Sequence, residues 1–182
     1  MRYDVVIIGG GLAGITAGLQ LQKSGKRTVV ISAGLSLHET PRAEYVAAGG
    51  TILAGDTVTG GSIENGRLEY VKTHNLGNTL MYADNFILCT GKFFSKGLVS
   101  TMDRVFEPVF GCDVQYEHDR TQWVRPEFSD EQPFMSFGVI TDADGRVSVG
   151  GSVVSNLYAA GEILAGKVEI VESALKVCRN LI

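Results

Sequence analysis

Residues 4–18 read Asp-Val-Val-Ile-Ile-Gly-Gly-Gly-Leu-Ala-Gly-Ile-Thr-Ala-Gly, and the fold is decided there. Residues 3–8 form a short apolar run without polar alternation, the pattern of a parallel strand buried on both faces. Gly9-Gly10-Gly11 ends it. From Leu12 to Lys23, the larger apolar residues Leu12, Ile15, Leu19 and Leu21 are interleaved with the small residues Ala13, Gly14, Ala17 and Gly18, which suits a helix lying tightly on a sheet. Gly25 stops the helix, and Thr28 to Ser32 reads as a second buried strand. The opening segment is thus a βαβ unit, for which a right-handed crossover is the rule.

Gly9, Gly11 and Gly14 satisfy G-x-G-x-x-G between that strand and that helix, and this setting gives the glycines a chemical meaning. Gly9 permits the tight turn, Gly11 lets a diphosphate approach the backbone, and Gly14 lets the helix settle on the strand. The unbonded amides at the helix start, around Leu12 and Ala13, together with the helix dipole, attract an anion. A dinucleotide site is predicted. The acidic residue that usually holds the adenosine ribose should close the second strand, where this chain has Ser32 followed by Ala33. A serine hydroxyl can bond a ribose without charge assistance, or it can simply end the strand.

Farther along, Leu35 to Arg42 has loop chemistry leading to a helix around Arg42 to Ala48, capped by Gly49-Gly50. Thr51 to Leu53 is a third strand. Val58 to Ile63, Leu68 to Thr73 and Thr79 to Tyr82 form a β-meander separated by turn residues, and Asn85 to Cys89 returns the chain to the parallel sheet. Lys92 to Met135 is irregular and holds most of the aromatics, so loops and edge strands are expected. Phe137 to Thr141 and Arg146 to Val149 flank Asp142-Ala143-Asp144-Gly145 as a hairpin. Leu157 to Ala160 is a last strand. Lys167 to Leu181 has helical period, with Ile170, Ala174, Leu175 and Val177 on one face. The expected architecture is α/β, a single Rossmann-like FAD/NAD(P)-binding domain over residues 1–182 with a central parallel sheet and a flanking meander. Its cofactor crevice lies at the carboxyl ends of the first two strands.

Composition excludes several classes. With 182 residues, 45% of them hydrophobic and 20% charged, the chain has the ordinary globular balance for one domain. A net charge of −4 and the lack of any basic block argue against nucleic acid and anionic membrane surfaces. The 3 cysteines, Cys89, Cys112 and Cys178, are widely spaced, which suggests neither a disulfide framework nor a metal site and fits a cytoplasmic location. No apolar run approaches the ~20 residues of a membrane span.

Two further motifs narrow the reading. Phe86-Ile87-Leu88-Cys89-Thr90-Gly91 resembles the Ala-Thr-Gly strand end of flavoproteins, and Asn156-Leu157-Tyr158-Ala159-Ala160-Gly161-Glu162 resembles their second flavin-contacting motif, with Glu162 where Gly-Asp is usual. More narrowly, residues 1–14 and 18–23, Gly49-Gly50 with Gly55-Asp56, residues 91–98 and 107–114, and Phe137-Gly138-Val139 resemble the B-type subunit of anaerobic glycerol-3-phosphate dehydrogenase. Members of that family are longer, and the resemblance places their extra length between about residues 33 and 42. Their glycine-rich approach to the last helix is replaced here by Gly166-Lys167-Val168-Glu169.

The resemblance implies a flavin, FAD by the diphosphate fingerprint or FMN by the family, and the oxidation of glycerol 3-phosphate to dihydroxyacetone phosphate with electrons passed to a quinone-linked chain. It also implies a flavoprotein catalytic partner and an iron–sulfur subunit anchored at the membrane, so this chain would reach the inner membrane only peripherally. The candidate cofactor set is Gly9, Gly11, Leu12, Ala13, Gly14, Ser32, Ala33, Val58, Thr90, Gly91, Gly161 and Glu162. No catalytic base is nominated, because His38, His74 and His118 all lie in polar loop sequence. Arg104, Arg120 and Arg125 could clamp a phosphate, but scattered arginines are ordinarily surface charges. Cys89, Trp123 and Phe93-Phe94 read as packing or interface residues. A nicotinamide-dependent reductase and a non-catalytic assembly module are the competing functions.

Overall fold

The computed structural model describes residues 1–34 and 39–182. The chain begins β1 (Arg2–Ile8), α1 (Leu12–Lys23), β2 (Thr28–Ser32), α2 (Glu39–Ala47) and β3 (Thr51–Ala54). The meander follows as β4 (Val58–Glu64), β5 (Arg67–Thr73) and β6 (Met81–Leu88). Four two-residue strands come next, β7 (Val99–Ser100), β8 (Val105–Phe106), β9 (Val114–Gln115) and β10 (Gly138–Val139), before β11 (Arg146–Val149), β12 (Ser152–Ala159) and α3 (Ile170–Leu181). The main sheet runs β11-β12-β6-β1-β2-β3, with β5 also on β6 and β4 on β5. Strands β12, β6, β1, β2 and β3 are mutually parallel. The order reverses at β1, and crevices open at such a switch point.

The alternation of β1 explains the layering. Val5 and Ile7 face α1, α3 and Tyr45 of α2, whereas Val6 and Ile8 face Leu68, Val71, Met81, Trp123 and Phe137 on the other side. A helical layer and a layer of meander and loops therefore share one sheet. Each such side chain contributes roughly 1.5–3 kcal/mol on burial. On α1, Gly18 leaves room for the Tyr45 ring, since a Cβ there would stand 3.0 Å from Cε2.

Four expectations from the sequence need correction. Thr79–Tyr82 and Asn85–Cys89 are not separate strands: β6 runs unbroken through Ala83 and Asp84. Ala83 is buried, while the Asp84 carboxylate pairs with Arg2 at 2.6 Å and its carbonyl accepts from Arg67 and Asn156, so no turn is needed. The hairpin lies elsewhere as well. Strand β11 pairs with β12 through Gly150 and Gly151, both at positive φ, and β10 pairs with β9; only the Thr141–Val147 bridge joins the two expected arms. Helix α2 already includes Glu39, Thr40 and Pro41, ahead of the expected start around Arg42. Helix α3 starts at Ile170, and its inward face is Ala174, Val177, Cys178 and Leu181 rather than Leu175.

Buried polar groups tie the layers together. Asn156, on β12, accepts from Leu68 N–H at 2.8 Å and donates to the carbonyls of Leu68 and Asp84. Asn156→Ala strips these groups of their partners and is expected to cost roughly 3 kcal/mol, read from urea unfolding at neutral pH. Asp56 is buried, which by itself would raise its pKa, yet hydrogen bonds from Thr73, Asn75 and Thr57 outweigh burial and hold it below the usual carboxylate value. A carboxylate depressed on folding stabilises the fold above its unfolded pKa, and that contribution fades as pH falls through the folded value. The stability of Asp56→Asn is therefore expected to change less than that of the parent chain as pH drops from about 5 to below the ordinary carboxylate range (~4), measured by urea titration at each pH.

Candidate dinucleotide site

The site is built from three strand ends. At the first, Gly9 donates its N–H to Ile31 at 2.8 Å and holds φ at +112°, in the region that favours glycine. A Cβ on Gly9 would lie 2.2 Å from the Cys89 carbonyl, and one on Gly14 would lie 1.9 Å from the Gly9 carbonyl. Close packing of β1, β6 and α1 therefore requires both glycines. Gly11 differs. It is exposed and extended, and nothing stands within 4 Å of where its Cβ would be. No side chain caps α1, and its first bonded amide is Ile15, which donates to Gly11 at 3.0 Å. The amides of Leu12, Ala13 and Gly14 thus form a donor edge beside open space, the arrangement that receives a diphosphate. The residues present fit a dinucleotide.

The second strand end is Thr90-Gly91, after β6. Cys89 donates its N–H to Ile8 at 2.7 Å, which locks this end beside Gly9. The Thr90 hydroxyl is buried and has no hydrogen-bond partner among the described residues. A Cβ on Gly97 would meet it at 2.7 Å, so the hydroxyl is closed off beneath the following loop. At the third end, Gly161 has φ +83°, and a Cβ there would lie 2.6 Å from the Ala13 Cβ. Gly161 donates its N–H to Ser173 Oγ at 2.9 Å, which ties the motif to α3. All three motifs meet at the start of α1.

The exposed Glu162 carboxylate lies at Gly91, 3.8 Å from where a Cβ would project. Beside it, Lys92 donates to the Met135 carbonyl, and burial pushes its pKa down while Glu162 pulls it back up. Lys92 supplies positive charge at this end of the crevice, and no motif in the sequence singles it out. At the β2 end, Ser32 Oγ donates to the Gly34 carbonyl at 2.7 Å, leaving its lone pairs as acceptors. Arg42, half-buried, lines a narrow cleft with Gly10, Ser32 and Gly34; the one signal that could have found it is a cation ten residues past the strand. Ala33 is exposed. Val58 packs its side chain into the core, so only its backbone is available to a cofactor.

The other candidates do not converge here. His74 is exposed and lies 3.1 Å from Asn75, His118 packs at a tilt against Tyr116, and His38 lies outside the described residues. Arg104 covers Phe106; Arg120 covers Trp123 and donates to Thr101 at 2.6 Å. Arg125 lines a separate groove. Cys89, Cys112 and Cys178 are all buried, and burial pushes each thiol up, Cys178 to about 12. Trp123 packs on Phe137 at 5.5 Å between ring centroids, Phe93 packs on Phe134 at 6.1 Å, and Phe94 is fully exposed. Among the described residues no group of His, Cys, Asp and Glu could hold a metal, and no helix is long and apolar enough to cross a membrane.

The chain is similar to known proteins in sequence and in fold. The B-type subunit of anaerobic glycerol-3-phosphate dehydrogenase from Vibrio vulnificus (strain CMCP6) is 39% identical over 136 residues, 73% of this chain and 31% of the relative. Its counterpart from Aliivibrio fischeri (strain MJ11) is 36% identical over 153 residues, 78% of this chain and 34% of the relative. The chain therefore spans about a third of the length of the curated relatives it matches. Among solved structures, the bacillithiol disulfide reductase of Staphylococcus aureus superposes with a TM-score of 0.63 at 8% identity, covering 100% of this chain and 98% of that one, a likeness of fold alone. The family model described as FAD binding domain matches residues 4–73 and 44–173. With the glycine fingerprint, the open amide edge and the two further strand ends already in place, the chain belongs to the FAD-binding domain family of flavin-dependent oxidoreductases.

Proposed function

We propose that this chain is the FAD-binding portion of a glycerol-3-phosphate dehydrogenase of the B-type, oxidising glycerol 3-phosphate to dihydroxyacetone phosphate and passing electrons towards a quinone. The observation that carries the reading is the donor edge of α1, open at Gly11 and flanked by Gly161 and Thr90-Gly91. When bound, FAD accepts the two electrons of alcohol oxidation. The chain's own part is to hold and orient it. The amides of Leu12, Ala13 and Gly14 neutralise the diphosphate, Glu162 accepts from the hydroxyls of the linking chain, and the Ser32 end receives the adenosine ribose. In the same reading the chain is one dinucleotide-binding domain, the extra length of its relatives falls between about residues 33 and 42, and the working enzyme adds a catalytic flavoprotein and a membrane-anchored iron–sulfur subunit. The protein itself then works on the cytoplasmic side.

Purified chain incubated with FAD and then desalted is expected to be yellow, with a flavin absorption band and FAD in its denatured supernatant by chromatography. FMN in its place would alter the cofactor. A sample that stays colourless with either flavin would favour a non-catalytic assembly module, and retention of a nicotinamide dinucleotide alone would favour a reductase.

A further inference from the structure

The adenosine end of the crevice carries a charge opposite to the usual one. Where an acid closes the second strand of a βαβ unit, it takes the ribose 2′ hydroxyl, and its charge repels a phosphate on that oxygen. Here Ser32 closes β2, and it is 9% exposed. It shares a narrow cleft with Gly10, Gly34 and Arg42, against the apolar side chains of Ile15 and Ile52. Gly10 keeps that cleft clear beside Ser32, because a Cβ there would stand 2.6 Å from both Cβ and Oγ of the serine.

Among the described residues no carboxylate lines this cleft. Asp56, whose amide donates to the Ser32 carbonyl at 3.1 Å, bonds its own carboxylate to the amides of Thr57 and Asn75. On α2, Glu44 pairs with Lys23 at 3.7 Å, and Glu39 is exposed. Arg42, half-buried, has no carboxylate within ion-pair distance among the described residues. Its guanidinium stays charged at any working pH and presents a planar fork that matches phosphate oxygens. Ser32 Oγ donates to the Gly34 carbonyl at 2.7 Å, and a hydroxyl rotor can turn that proton to a ligand oxygen instead. A guanidinium and a hydroxyl, with the acid missing, are the set that accepts a phosphate on the ribose 2′ oxygen. We propose that this cleft binds the 2′-phosphate of an adenine nucleotide, so that dinucleotides of the NADP class enter the crevice and compete there with FAD.

The proposal rests on the crevice described above, with the diphosphate on the α1 edge and the additional phosphate at Arg42. The test is calorimetric titration of the full chain, without flavin, with NADP⁺ and NAD⁺, which differ only in the 2′-phosphate. NADP⁺ is expected to bind about tenfold tighter or more. Added to the chain loaded with FAD, it should release the flavin, read as a rise in flavin fluorescence, at lower concentration than NAD⁺ does. Arg42→Ala should bring NADP⁺ down to the affinity of NAD⁺, Arg42→Lys should keep part of the preference, and Ser32→Asp should reverse it, with a thermal melt of each variant showing that it folds. Equal affinity for the two nucleotides, an undiminished preference in Arg42→Ala, or binding of NADP⁺ that leaves FAD in place would each overturn the proposal while FAD retention, and with it the function above, stands. Failure of all three dinucleotides to bind would remove the crevice on which both depend.

Discussion

Gly14→Ala is expected to lower the thermal unfolding midpoint by roughly 10 °C, the largest loss of stability among substitutions in the fingerprint. The added methyl would stand 1.9 Å from the Gly9 carbonyl oxygen, a backbone atom that cannot rotate aside. To relieve the overlap, α1 must lift from β1, opening contacts that Ala13, Ile15 and Ala17 make with the sheet and α3. Overpacking of this kind costs on the order of 3 kcal/mol. The measurement is a thermal melt by circular dichroism without flavin. A midpoint within a few degrees of the parent chain would mean that the helix does not rest on the strand at this point.

Gly11→Ala should behave in the opposite way. Its backbone is extended, at φ −73°, and its Cβ would meet nothing within 4 Å, so the free chain is expected to unfold at the parent temperature or slightly above. The methyl would occupy the space beside the α1 amides that a diphosphate needs. FAD affinity is expected to fall at least tenfold, about 1.4 kcal/mol, in a fluorescence titration. The pair separates the two duties of the fingerprint, since one glycine serves packing and the other leaves room for a ligand. Unchanged FAD affinity in Gly11→Ala would place the diphosphate elsewhere.

The legible parts of the sequence are those where cause and effect lie close together along the chain. The βαβ unit can be read because apolar runs, glycines and a helix follow one another within the opening segment, and each feature is explained by its neighbour. Thr90-Gly91 and Gly161-Glu162 are legible as strand ends, and the structure brings both to the start of α1. The misses have distant causes. Ala83-Asp84 reads as a break, yet Arg2, Arg67 and Asn156 satisfy Asp84 from three other strands. The excursion reads as irregular because its order comes from buried or bridging carboxylates. Glu107 accepts from the amides of Val109, Phe110 and Gly111, and Asp113 reaches across to Gly150 and Gly151. Lys92 escapes notice because charge near a crevice is a property of the fold that no local pattern encodes, and Arg42 is marked only by its distance from the end of β2. An acid followed by a turn rich in free amides, as at Glu107-Pro108-Val109-Phe110-Gly111, is the one local clue to that order.

Strand β6 changes neighbours along its length: Met81 and Tyr82 lie on β5, Phe86 to Leu88 lie on β12, and β1 accompanies nearly the whole of it. Meander and parallel sheet are thereby spliced on one ribbon, so neither can detach without fraying the other. Amide hydrogens of β5 and β1 should exchange with solvent through the same global opening, as one foldon. The pairing of Arg2 with Tyr82 also closes a long loop. Such distant pairing makes assembly slow, with β1 waiting for a partner made much later in synthesis.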